Sequence, residues 1–174
     1  SEDLIGNKYE LFQKSGSDSP YFDLPDDVVL WGPDGEYLKD QGEPTDSYSE
    51  FYFEETITFR RFGKVFTARM KDENTIFDIN SPFVYSDQFS NSLLLGILNS
   101  TLTRYIMNGI NPGMNFQPGD ASQIPIKVEY SNSKDIIDYA EKAITQRKRL
   151  ASINETCAVF DPHEFENKLV SIRD

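Results

Sequence analysis

The chain has 174 residues with 29 acidic and 17 basic side chains, a net charge of −12, one cysteine and one histidine, enough for one domain burying roughly two-thirds of its unfolded surface. Cys157 alone excludes an intramolecular disulfide, and His163 alone excludes a Cys/His zinc cluster. No apolar run reaches ~18 residues and Ser1 onward has no basic-apolar signal pattern, so the expectation is a cytoplasmic protein that does not span a membrane.

In chain order, Ser1 to Pro20 is polar and Ser- and Gly-containing, and reads as irregular. Asp26 to Trp31 is a short β-branched run, followed by a turn at GPDGEY and a breaker-rich loop from Lys39 to Tyr48. Residues 1–55 hold 15 acidic and 3 basic side chains, so the whole net charge of −12 lies in this first third. From Thr56 through Lys71 no acidic residue occurs, while Arg60, Arg61, Lys64, Arg69 and Lys71 do. Glu50 to Phe53 and Thr56 to Phe62 alternate aromatic or branched residues with polar ones, a strand signature. A tight turn at Phe62-Gly63-Lys64 and a return over Val65 to Met70 make a hairpin, and Thr75 to Asn80 supplies another strand. Lys134 to Ala151 reads as a helix with Ile136, Ile137, Tyr139, Ala140, Ile144 and Leu150 on its apolar side. Glu164 to Ile172 reads as a short terminal helix.

The organising stretch is Asn91 to Ile126, NSLLLGILNSTLTRYIMNGINPGMNFQPGDASQIPI. Leu94, Leu98, Leu102, Tyr105 and Ile106 share one side at helical spacing, widened by Leu93 and Ile97. Asn99-Ser100 interrupts the pattern and offers a second N-cap, so the expectation is one bent helix or two short ones. Gly109, Pro112, Gly113, Pro118 and Gly119 then dictate an ordered loop, which leads into a short strand from Ile124 to Val128. Strands precede helices. The expected fold is therefore α+β over residues 1–174 as a single domain: a small mixed or antiparallel sheet with its hairpin, packed on a central buried helix and a C-terminal helix. Leu94, Leu98, Leu102, Ile106, Phe77, Ile57 and Phe59 form the expected core.

This stretch resembles the C-terminal part of large adenine-specific DNA methyltransferases, above all the PglX type of the BREX phage-defence systems and, more distantly, enzymes with a TaqI-like specificity domain. Their pattern, roughly "LLgyLNS…LNPTxNFQxGDIxxLPI", is matched by Leu98-Asn99-Ser100, Asn111-Pro112, Asn115-Phe116-Gln117, Gly119-Asp120 and Ile124-Pro125-Ile126. Upstream, Val28-Val29-Leu30-Trp31 with Asp34-Gly35-Glu36 is similar to "VVNWxxDGxxIK". Glu50-Phe51-Tyr52-Phe53, Ile57-Thr58-Phe59 and Ile76-Phe77-Asp78-Ile79 are similar to "xFYFxxGITW" and "FIFD". Downstream, Glu155-Thr156-Cys157 and Phe160 stand where the family has "ETSWDF". The resemblance implies a target-recognition domain, a fragment of a larger enzyme. Its partners would be duplex DNA, the methyltransferase domain of the same polypeptide and other proteins of the defence system.

The transferase machinery itself is missing from the sequence. It has no Gly-rich S-adenosylmethionine loop and no "NPPY" tetrapeptide, and Asn111-Pro112-Gly113-Met114 lacks the aromatic that stacks on a flipped base. The chain alone is thus expected to be catalytically inert, without a cofactor, S-adenosylmethionine belonging to the full enzyme. Acidic pairs such as Asp26-Asp27, Glu54-Glu55 and Asp72-Glu73 point to opposite strand faces or sit near turns, as a solvated surface does.

Three groups remain as candidate DNA contacts. Arg60 and Arg61 on a two-stranded ribbon suit a major groove, where Arg bonds guanine in bidentate fashion, and Lys64 at the turn suits a phosphate. The competing reading has Arg60, Arg61 and Arg69 neutralise the acidic first third, with Arg69, alternating with core-type residues, the structural member. Asn115 and Gln117 carry amides that pair with adenine edges. Their competing role is to tie down loop backbone, which a motif shared between enzymes of different targets favours. Arg147, Lys148 and Arg149 either touch phosphate or form a solvated helix face. The alternative for the whole chain is an acidic protein-interaction module docking on a basic partner.

Overall fold

The computed structural model describes residues 8–14, 18–25, 27–40, 49–78 and 80–153. Along them run β1 (Tyr9–Gln13), β2 (Tyr21–Phe22), β3 (Asp27–Leu30), α1 (Glu36–Asp40), β4 (Thr56–Phe59), β5 (Ala68–Lys71), β6 (Thr75–Phe77) and β7 (Phe83–Val84). The helices α2 (Asn91–Leu98), α3 (Thr101–Ile110), α4 (Pro118–Ala121) and α5 (Lys134–Ser152) follow. The fold is α+β, with two small mixed sheets rather than the one expected. The first has the order β3-β1-β6, with β3 antiparallel and β6 parallel to β1. The second has the order β2-β5-β4-β7, in which only the β2–β5 pair is parallel. Among the described residues no helix is long and apolar enough to cross a membrane.

The break at Asn99-Ser100 produces two helices, each with its own serine cap. Ser90 Oγ accepts from the Leu93 N–H at 3.3 Å and Ser100 Oγ from the Thr103 N–H at 3.1 Å, satisfying donors that a helix start leaves orphaned. Leu93, Leu94 and Leu98 are buried as the apolar stripe requires, and Leu95, outside that stripe, is buried with them. The expectation that the stripe continues through Leu102 and Tyr105 fails, since these are 66% and 78% exposed. A fresh cap resets the helical phase, so counting across the break selects the wrong side. Thr103 and Met107, one helical repeat apart, face inward instead.

Gln13 and its neighbours correct the reading of the N-terminus: Tyr9–Gln13 is the middle strand of the first sheet, not irregular chain. Glu50 to Phe53 is a 3-10 turn over Ser49–Phe51, not a strand, with Phe53 at a φ of 61°. Its aromatics feed a seam joining the two sheets: Tyr52 meets Trp31 and Phe77 edge-on, and Phe51 meets Phe83 at 4.5 Å. Ile124 to Val128 is likewise no strand; Ile124 plugs the core and Val128–Tyr130 is a 3-10 turn. The hairpin is present, with Thr56 opposite Lys71 and Phe59 opposite Ala68, but its connection is the eight-residue loop 60–67, not a tight turn. The loop expected over 41–48 and the helix expected over 164–172 lie outside the described residues.

The core gathers Ile57, Phe59, Ala68 and Met70 from the hairpin under Leu94, Leu95 and Leu98, closed by Phe66, Met107, Phe116 and Ile124. Helix α5 lies against α2 and β2. Its close approach depends on Gly96, where a Cβ would stand 2.6 Å from Ile136 Cγ2. Ala140 is buried in α5, while Tyr139 and Leu150, expected on its apolar side, are 72% and 51% exposed.

Candidate nucleic-acid interface

The hairpin puts five cations on one ribbon, and its register sorts them. Ile57, Phe59, Ala68 and Met70 face the helices, so the residues between them turn to the other side of the sheet. That side is also covered: Thr56, Thr58, Arg69 and Lys71 are all buried. Arg69 pairs with Asp23 at 3.2 Å. Burial pulls its guanidinium below the ordinary range while Asp23 opposes the shift. Lys71 Nζ donates to the carbonyls of Thr75 at 2.8 Å and Asp72 at 3.2 Å. Burial lowers its ammonium from the ordinary 10.5 to about 8, against the pull of Asp72, Glu54 and Glu55. The structural assignment of Arg69 is correct, and Lys71 joins it. An unbroken basic run in sequence is therefore not a basic surface.

The loop 60–67 carries the rest. Arg60 is bonded to Asp18, an exposed pair of the kind worth about 0–1 kcal/mol and readily exchanged for another anion. Arg61 is half-buried, its guanidinium 5.6 Å from the centroid of the Phe62 ring, and Nε is buried without a hydrogen-bond partner. Lys64 is exposed. The loop is fastened to the Asn111–Gln117 loop by two main-chain hydrogen bonds that make one bridge. The Phe116 N–H donates to Arg61 O at 2.7 Å, the Gly63 N–H donates to Met114 O at 2.9 Å, and Phe62 and Asn115 form an antiparallel bridge between them. Arg60, Arg61, Lys64, Asn115 and Gln117, nominated from stretches some 50 residues apart, thus sit at one end of the molecule.

Side chains of the Asn111–Asp120 segment mostly hold that loop in shape. Asn111 Nδ2 donates to Asn115 O at 2.8 Å and to Asp120 Oδ2 at 2.7 Å, and Asn111 Oδ1 accepts from the Gly113 N–H. Asp120 Oδ2 also accepts from the Gln117 N–H at 2.8 Å. These donors hold its carboxyl below the usual range, the Asn111 amide contributing most. Phe116 is a core residue. Gln117 Nε2 donates to Asn115 Oδ1 at 2.7 Å. That bond takes one of the two lone pairs of the Asn115 oxygen and fixes its amide against Gln117, the loop-fastening role weighed against adenine pairing. Asn99 has a similar structural role: buried, it bonds both the N–H and the C=O of Ala68, anchoring α2 to the point where β5 leaves the loop.

Arg147 and Lys148 are not part of this end. Lys148 bonds Asp72 Oδ1 at 2.7 Å and lies 4.9 Å from the centroid of the Phe22 ring. Asp72 follows the far end of β5, about 13 Å along the strand from Ala68. Lys148 thus holds α5 onto the sheet, with Arg147 beside it on the exposed surface. A shallow depression of about 310 Å³ on the same helix is lined by Asp138, Glu141, Lys142, Thr145 and Gln146. Among the described residues no three His, Cys, Asp or Glu side chains are grouped to hold a metal ion.

What sequence reading missed at the loop end is apolar. Phe62, Val65 and Met114 are 49%, 44% and 58% exposed. A hairpin strand pattern had absorbed Phe62 and Val65; only the longer loop releases them to solvent. No protein-family model matches the chain. A search of curated proteins likewise finds no match.

Proposed function

We propose that the chain is a DNA target-recognition domain, which reads duplex DNA for N6-adenine methylation by a separate catalytic domain of the same polypeptide in a phage-defence or restriction-modification system. One observation carries the reading: the cationic loop and the amide loop, fastened by two main-chain hydrogen bonds across one bridge, present cations, an amide and exposed apolar groups on one edge. Preorganised backbone, phosphate-seeking cations and base-seeking groups are what such recognition requires. Arg61 and Lys64 meet phosphate, and Arg60 joins them by exchanging Asp18 for a phosphate oxygen. S-adenosylmethionine belongs to the catalytic domain. The sequence lacks the Gly-rich loop that would hold it, and exposed Met114 stands where an aromatic would stack on a flipped adenine. Calorimetry with S-adenosylmethionine should give no saturable heat; saturable binding would sink the division of labour.

The second reading, an acidic module docking on a basic protein, is favoured by the thinning of the basic run: Arg69 and Lys71 are buried and Arg60 is paired with Asp18. A competition separates the two. Binding to duplex DNA that weakens steeply with salt supports recognition of DNA. Binding to a basic protein, with no affinity for duplex at low salt, supports the docking module.

A further inference from the structure

The loop end holds an aromatic ring out in water on a fixed support. Phe62 and Met114 are both about half exposed or more, yet the main chain beneath them is bonded across at Arg61–Phe116 and Gly63–Met114. The Arg61 guanidinium lies 5.6 Å from the ring centroid and steadies it. Directly opposed residues of an antiparallel bridge send their side chains to the same side. Phe62 and Asn115 therefore project together, while Phe116, next along, turns into the core. The Asn115 carboxamide beside the ring already accepts one bond at Oδ1 from Gln117, and its Nδ2 donor projects with the ring. A donor there suits the minor-groove floor of A·T pairs, which shows only the acceptors N3 and O2.

We infer that Phe62 is a minor-groove wedge. It enters between two neighbouring base pairs of a duplex, Asn115 Nδ2 donates to the acceptor of an adjacent A·T pair, and Arg61 and Lys64 hold the flanking phosphates. The inference rests on the duplex-DNA reading above and adds to it the groove and the mode of entry. Prising a base step apart is unfavourable by itself, and burial of Phe62 offsets it. The negative potential of a narrow A·T minor groove draws in the two cations. The carboxylate bonded to Arg60, Asp18, is on an exchangeable surface pair, and Asp120 is taken up by Asn111 and the Gln117 N–H.

The test uses the 174-residue chain and an A·T-rich duplex with 2-aminopurine at its central step, whose emission rises on unstacking. Wild type should bind with a rise in emission. Phe62→Ala should bind about tenfold more weakly without the rise, and Phe62→Tyr should restore it. Because Phe62 is exposed, the alanine variant should keep the wild-type urea midpoint, which is measured alongside. Replacing adenine by 3-deazaadenine, which lacks the minor-groove acceptor, should weaken wild type but not Asn115→Ala, and 7-deazaadenine should leave both unchanged. Equal binding by Phe62→Ala with no emission change in any version would overturn the wedge and leave duplex recognition standing. Sensitivity to 7-deazaadenine instead would move the tip to the major groove, also overturning the wedge alone. No salt-dependent binding by any version would overturn both.

Discussion

The strands and the connecting loop of the β4–β5 ribbon hold the same residue types in opposite ways. On the strand Arg69 and Lys71 are sealed from water, one against Asp23 and the other against main-chain carbonyls. At the loop end Lys64 stands in solvent and Arg61 and Arg60 lie partly open. Five cations within twelve residues therefore split into a structural pair and a surface set. What separates them is ladder register. A strand residue beneath a covered face is buried whatever its charge, and the protein must then supply partners.

The largest expected effect comes from the strand. Asp23→Ala leaves Arg69 as a buried cation without its carboxylate and should destabilise the fold by about 3 kcal/mol in urea unfolding. A loss below about 0.5 kcal/mol would mean that the burial of Arg69 is not maintained in solution.

Lys71 gives an effect of similar size through pH. Its folded pKa, about 8, lies below the ordinary 10.5, so between these values the unfolded chain binds more protons and stability must rise with pH. Below about pH 8 both states are protonated and the burial penalty is fully present. Across the window the gain has a ceiling of about 3 kcal/mol. Tyr52, raised by burial and then by Asp78, works the other way above its ordinary 10.0, so the rise is read between about pH 8 and 10. Urea midpoints should climb over that interval in wild type, and Lys71→Met should remove the climb. A wild-type midpoint flat or falling there would contradict the burial of a charged Lys71.

The junction between strand and loop is sharpened by Asn99→Ala. Losing its bonds to both main-chain groups of Ala68 leaves those groups unpaired in a buried place, a loss of about 2 kcal/mol. Hydrogen exchange should show loosening at Ala68 together with the 60–67 loop. Loss of stability without that loosening would separate the anchor from the loop it is said to support. The smallest effects on stability belong to Arg61→Ala and Lys64→Ala, each within about 0.5 kcal/mol, because the loop is held by main-chain bonds.

Much of the architecture was legible. The second cap within Asn99-Ser100, the break between helices, the burial of Leu93, Leu94 and Leu98 and the long α5 all follow from periodicity and capping chemistry. Long-range placement was not. The strand Tyr9–Gln13 has no strong alternation and exists because β3 and β6 flank it. Leu102 looked buried only because the period was counted across a break. At the candidate interface the residue types were readable, but not that Arg61 and Asn115 belong to bonded neighbouring segments. Nor did sequence foretell that Gln117 donates to the Asn115 carbonyl. Such pairings join residues far apart or fix one rotamer among several, and local sequence encodes neither.

The most direct measurement is a titration of duplex DNA with wild type, Lys64→Ala and Lys71→Met at several salt concentrations. The loop end should carry the phosphate contacts: the logarithm of affinity falls linearly with the logarithm of salt, and Lys64→Ala flattens that slope by about one unit. Lys71→Met, altered inside the fold, keeps the wild-type slope. Equal slopes for wild type and Lys64→Ala, or no salt-dependent binding at all, would contradict the assignment of the loop end as a DNA-reading surface.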